Sequence, residues 1–237
     1  MQLTFEYKIK TIQFEVIYRK RKTMVIRVTP PGKVTVISPI GIPKELILEK
    51  VKNKAPWILK KISELKNEKY LQVKKKYEND EDFLYLGTNY PLQIEINPKI
   101  KKTSVDLYCG KFIIKAPENN VEKFKKAIEV WYRKKALEKI NERVEYYSTI
   151  IKRNPNKISI RNQKTIWGSC RGNNLNFNWR IIMAPLRVLN YLVVHEMSHM
   201  VHPNHSKDFW NLVSSIIPEY KSCKDWLKEN SNKLFYI

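Results

Sequence analysis

All four histidines of this 237-residue chain lie between positions 195 and 205. That crowding constrains the fold more than any other feature. Imidazole is the usual neutral ligand of a borderline metal such as zinc, and ligands must converge on one point. His195 and His199 are four residues apart, which on an α-helix sets both rings on one face, about 6 Å apart along the axis. The preceding run Val188-Leu-Asn-Tyr-Leu-Val-Val194 is apolar almost all round, the pattern of a buried helix, and Pro185 is placed to open it. Glu196 follows the first ligand and can reach a metal-activated water, where a general base is needed. The segment has the H-E-x-x-H form of zinc hydrolases.

A catalytic zinc site takes three protein ligands and keeps one position open. His202 lies a further turn along, about 7 Å from the midpoint of the first pair on a straight helix, so it is expected outside the ligand set. Pro203 disfavours helical geometry at His202 and is expected to end the helix there. The chain then folds back, and His205 becomes the expected third ligand. Ser206 reads as the N-cap of a helix from Lys207 to Ile217, with Asp208 in its first turn.

Hydrophobic content of 43% is that of a folded protein with a core, which excludes a disordered chain. The formal net charge is +22, from 45 Lys+Arg against 23 Asp+Glu, and such an excess draws a protein towards nucleic acid, anionic lipid or acidic proteins. No helix-turn-helix or zinc-finger motif accompanies it, so a solvated lysine-rich surface is the plainer reading and DNA remains an open partner. Cys109, Cys170 and Cys223 are odd in number and widely spaced, which excludes a disulfide framework and a C-x-x-C metal pair. No apolar run approaches ~18 residues and the N-terminus has no apolar signal core, so a cytoplasmic protein with no membrane span is expected. Nothing in the sequence specifies an oligomeric state.

Residues 1 to about 115 read mainly as strands. Thr11–Tyr18, Met24–Thr29 and Lys33–Ile37 are rich in β-branched residues, with Arg19-Lys-Arg-Lys22 and Pro30-Pro-Gly32 as turns. A helix is expected from Lys44 to about Lys66, then a charged connector, Lys74 to Asp82, and strands at about 83–96, 103–109 and 111–115. Gly32-Lys-Val-Thr-Val-Ile-Ser-Pro39 and Gly110-Lys-Phe-Ile-Ile-Lys-Ala-Pro117 share a Gly-Lys turn, four strand residues and a closing Pro. Each leads into a helix carrying a Trp (Trp57, Trp131), which suggests two similar hairpin-plus-helix units. A helix follows from Asn119 to about Ile151, on a stripe of Val121, Phe124, Ile128, Trp131, Leu137 and Ile140. Strands at 158–161, 164–170 and 175–179 then precede the histidine helix. Their last hairpin could supply an edge strand that holds an extended peptide by main-chain pairing. The expected class is α+β. A β-rich region, 1–117, with one helix precedes a helical catalytic region, 118–237, with a short sheet.

Trp167-Gly-Ser-Cys170, Asn178-Trp-Arg180, Ala184-Pro185, Tyr191-Leu-Val-Val-His-Glu-Met-Ser-His199 and His205-Ser-Lys-Asp-Phe-Trp210 together resemble the YgjP-like metallopeptidases. Pro218-Glu-Tyr220 and Trp226-Leu227 extend the likeness. The resemblance implies a zincin-like catalytic region in which His195, His199 and His205 match the metal ligands of one zinc ion and Glu196 the catalytic acid/base. A more distant likeness, through the metal motif alone, is to SprT-like proteases, some of which degrade proteins crosslinked to DNA. The 195/199/205 spacing equals that of metzincins, but their glycine position is His202 here and no Met follows Met200, so that family is excluded.

The expected function is a zinc metallopeptidase acting on a peptide or protein substrate. Candidates for a further donor to the oxyanion are Tyr191, Arg180, His202 and Tyr220. One alternative is a basic nucleic-acid-associated module with a structural zinc closed by Asp208 or Glu219; another is a zinc hydrolase of non-peptide amides. A thiol nucleophile at Cys170 is disfavoured, since no neighbour in sequence lowers its pKa.

Overall fold

Alternating apolar residues set the first sheet. Gln2–Tyr7 (β1) and Lys10–Arg19 (β2) pair antiparallel and bury Leu3, Phe5, Ile12, Phe14 and Val16 on one face. β1 lies ahead of the first strand expected from sequence. Val25–Thr29 (β3) pairs antiparallel with Lys33–Pro39 (β4), and β4 runs parallel to β2, giving the order β1-β2-β4-β3. Lys44–Asn53 (α1) and Ala55–Lys66 (α2) close the apolar face with Ile47, Val51, Ala55 and Ile58. The single helix expected over 44–66 is thus two. Pro56 cannot donate a backbone hydrogen bond and its ring crowds the carbonyl four residues back, so the ladder stops at Lys54 and restarts with Ile58 N donating to Lys54 O at 2.9 Å.

This computed structural model describes residues 1–29, 31–66, 75–163 and 165–235. It divides into two compact units, Met1–Val73 and Lys74–Ile237. The division falls well before the 117/118 boundary expected from sequence. The second set of strands shares one core with the helices that follow, through Phe83, Leu92, Phe112 and Ile114. Residue 74, the start of the expected connector, and 164, the start of an expected strand, lie outside the described residues.

The second unit opens on the same plan. Asp82–Tyr85 (β5), Thr88–Ile96 (β6), Ser104–Tyr108 (β7) and Lys111–Ala116 (β8) form a sheet of order β5-β6-β8-β7. Again the outer pairs are antiparallel and the central pair parallel. The repeat read from two short motifs is therefore a repeat of topology. It holds at residue level, because Phe14 faces Val34 in the first sheet as Leu92 faces Phe112, at the same spacing, in the second.

Val121–Ile151 (α3) follows, capped by Asn120, whose side chain accepts from Lys123 N at 3.1 Å. Phe124, Ile128, Trp131, Tyr132, Ala136, Ile140, Val144 and Tyr147 are buried along it. Val121 and Leu137, expected in the stripe, are exposed: the buried line runs through Tyr132, Ala136 and Val144 instead. The helix ends at Lys152 in the left-handed region, φ 56°, just before Asn154-Pro155. Lys157–Arg161 (β9), Gly168–Arg171 (β10) and Asn174–Asn178 (β11) make a small sheet of order β10-β11-β9. A 3₁₀ helix, Trp179–Met183, leads into Leu186–Ser198 (α4), then Lys207–Ile216 (α5) and Tyr220–Phe235 (α6). The fold class is α+β, as expected. No helix among the described residues is long and apolar enough to cross a membrane.

Candidate active site

The site is built on α4, and the hairpin β5–β6 fixes where α4 begins. Leu86 N donates to Ile182 O at 2.8 Å and Gly87 N to Met183 O at 3.0 Å. Leu86 and Gly87 form a tight turn with φ 49° and 85°, and a Cβ on Gly87 would stand 2.9 Å from Pro185. Only a glycine lets the hairpin close on the proline that opens the helix. Within α4, Val188, Leu189, Tyr191, Leu192, Val193, Val194 and Met197 are buried, so the helix is a core element and its rotation about its axis is fixed.

His195 and His199 project from the same face, with ring centroids 5.0 Å apart. The helix stops at Ser198, one turn earlier than Pro203 required. A last loose turn carries the chain through His202, whose N donates to Ser198 O at 2.9 Å. The chain folds back from there and brings the His205 ring 4.7 Å from His199 and 5.0 Å from His195. One nitrogen from each of the three histidines lies within 4.8 Å of the others, and Nε2 of His195 and His205 are 3.2 Å apart. A tetrahedral ion bound to imidazoles at about 2.0–2.1 Å separates its ligand nitrogens by about 3.3 Å. The donor set therefore fits a metal ion.

The supporting groups set tautomer and tilt. His199 Nδ1 sits 3.2 Å from His202 O, so a proton on Nδ1 is held there and Nε2 is left free. His202 contributes its carbonyl rather than its ring. Ser206 caps α5 by accepting from Phe209 N at 3.3 Å, and this seats Phe209, fully buried, 4.5 to 5.0 Å from all three imidazoles. Trp210 stacks on His205 at 5.6 Å and 20°. Burial, then the neighbouring imidazoles, then Lys224 lower the His195 pKa to about 3, which keeps that ring neutral. His205 is lowered in the same sense, by burial first, then His199 and Lys224.

Glu196 is 5% exposed and its pKa is raised to about 8 by burial alone. No hydrogen bond to its carboxyl is found among the described residues. Its side chain lies against β10, where a Cβ on Gly168 would be 2.5 Å from Oε1 and 2.8 Å from Cδ. Gly168 thus makes room for the carboxyl, a role the sequence motif Trp-Gly-Ser-Cys did not disclose. Phe209 and Trp210 were likewise visible only as motif letters. The available signal was the Ser206 cap, since the residue before an N-cap (His205) packs against the fourth helical residue (Trp210).

The remaining candidates separate. Tyr191, one turn before His195, is buried with its ring 5.7 Å from that imidazole. Burial, with Cys223, Glu196 and Tyr220 nearby, raises its pKa. Tyr220 stacks on Trp210 at 5.1 Å. Arg180 is committed elsewhere: Nη1 donates to Asn162 Oδ1 at 2.6 Å and the guanidinium covers Trp179 at 4.3 Å. Asn178, fully buried, organises that loop by donating to Gln163 O at 2.7 Å and accepting from Arg180 N at 3.1 Å. Cys170 gives its thiol to Gly172 O, and burial followed by the charge of Glu196 raises its pKa, the opposite of an activated nucleophile. Neither Asp208 nor Glu219 joins the histidine cluster.

A family model described as the YgjP-like metallopeptidase domain matches residues 22–230. The chain belongs to the YgjP-like family. As a member it is a metallopeptidase domain, and the family implies a metal ion; His195, His199 and His205 lie close enough together to hold one. The crystal structure of the metallopeptidase zymogen of Pyrococcus abyssi abylysin is similar at 18% identity and a TM-score of 0.35, over 37% of this chain and 90% of that one. No curated protein matches the chain.

Proposed function

We propose that this YgjP-like chain is a zinc peptidase in which His195, His199 and His205 hold one ion and Glu196 is the general base. The observation that carries the reading is the convergence of three imidazole nitrogens within 4.8 Å, at the end of the helix that also bears Glu196, a buried carboxyl with no hydrogen-bond partner among the described residues. Bound there, the ion supplies a Lewis acid that activates a water molecule, polarises the scissile carbonyl and favours the ionised form of the adjacent carboxylate. Glu196 takes a proton at its carboxylate and returns it to the leaving amide nitrogen. Burial strengthens that carboxylate as a base, and Gly168 keeps its approach clear. Among the described residues β10 is paired with β11 alone, so its other edge can hold the main chain of a peptide or protein substrate.

A structural zinc would need a fourth protein ligand. The cluster of three histidines without Asp208 or Glu219 favours the catalytic reading. The test is digestion of an unbiased peptide library by wild type, Glu196→Gln and His199→Ala, with metal content measured for each. Glu196→Gln is expected to hold one zinc and lose at least about 100-fold in rate, and His199→Ala to lose the ion. Full activity in Glu196→Gln overturns the base assignment. The charge excess makes DNA a partner to test, by whether binding occurs and weakens steeply with salt.

A further inference from the structure

Beside the triad lies an open cavity of about 390 Å³, lined by Trp210, Tyr220, Lys221, Lys224 and Asp225. Trp210 is a shared wall: one face of the ring is stacked on His205, and Tyr220 continues the stack. Lys224 Nζ sits 4.9 Å from the Trp210 ring centroid, a cation–π contact that holds the ammonium against the cavity wall. Neither Lys221 nor Lys224 has an ion pair among the described residues. Asp225 is the one acidic group in the lining, so the cavity carries two cations against one anion. Lys224, fixed on an aromatic wall next to the histidine cluster, and Lys221 in the same lining give the cavity a positive balance that favours a ligand anion.

We propose that this cavity is a substrate subsite that takes a carboxylate of the peptide, held by Lys224 and Lys221. The inference rests on the peptidase reading of the triad. Two stacking steps of 5.6 and 5.1 Å separate Tyr220 from His205, which is the reach of about three extended residues at about 3.3 Å each. The carboxylate therefore belongs within about three residues of the scissile bond. It is supplied either by an acidic side chain or by a free C-terminus, and both present the same two oxygens to an ammonium. Tyr220, at the outer end of the stack, offers aromatic surface to the rest of that residue.

Fluorescently labelled peptides of one neutral sequence test this on the full-length Glu196→Gln protein by anisotropy. One carries an internal Glu and an amidated end, one a free C-terminus and no acidic residue, and one is neutral and amidated. At least one carboxylate-bearing peptide is expected to bind about tenfold more tightly than the neutral one. The Glu-containing arm identifies a side chain and the free-end arm a C-terminus. Adding Lys221→Met and Lys224→Met is expected to erase the preference, and Lys224→Arg to keep most of it. In the active enzyme the same lysine changes are expected to raise KM for the preferred peptide more than they lower kcat. Equal binding of all three peptides, or a preference that survives both lysine substitutions, overturns the subsite. Cleavage by wild type without preference overturns the subsite and leaves the peptidase reading standing. Preference without cleavage by zinc-loaded wild type overturns the peptidase reading and leaves the carboxylate site.

Discussion

The two four-stranded sheets share order, strand sense and central register, yet only the second stands on a path to chemistry. In the first copy the chain leaving β4 meets Pro56 and breaks into two short helices, which cover one sheet face and bury a small core. The chain leaving β8 instead enters a helix of 31 residues. Its early turns pack on the sheet through Phe112 and Trp131, ring centroids 4.8 Å apart, and the helix also contacts α4 and the 3₁₀ helix before it. The β5–β6 turn, through Gly87, then anchors the start of α4. A repeated hairpin becomes part of the scaffold of the candidate site when its helix is long enough to hold a second layer.

The comparison breaks most visibly at equivalent core positions. Phe112→Ala is expected to cost about 3–5 kcal/mol, because a buried ring touching Trp131 and Tyr132 leaves a cavity, and to lower metal occupancy as the scaffold loosens. Its counterpart Val34→Ala is expected to cost about 2 kcal/mol and to leave metal content unchanged. Urea titration with parallel metal analysis reads both, and equal loss of metal in the two variants would mean the copies are not independent supports. Gly168→Ala is expected to fold with a comparably small cost while losing at least about tenfold in kcat, since the added Cβ displaces Glu196. Wild-type kcat in that variant would remove the cradle from the account. Tyr132→Phe deletes the 2.7 Å bond to Leu84 O and is expected to cost about 1 kcal/mol by thermal melting. Gly110→Ala, at φ 74° with open space around it, is expected to cost about 1 kcal/mol from backbone strain alone.

Much of this was legible in the chain. The i, i+4 histidines, the apolar run before them and Pro185 required a buried helix with two rings on one face. The cap at Ser206 and the strand hairpins also followed from local chemistry, because turns and caps depend on neighbours within a few residues. The domain boundary was not legible, since Phe83, Leu92 and Phe112 read as strand residues whichever core they join. Nor was the break at Lys54, where the apolar period continues across Pro56 and hides the lost hydrogen bond.

Sequence alone therefore settled which groups could bind a metal and on which helix face two of them stand, because a helix repeats every 3.6 residues whatever surrounds it. Tertiary structure decided how His205 returns to them, that Gly168 makes space for Glu196, and that Lys224 and Trp210 flank the cluster. Those relations join residues on different elements, and their distances are set by packing across the core, which no local periodicity encodes.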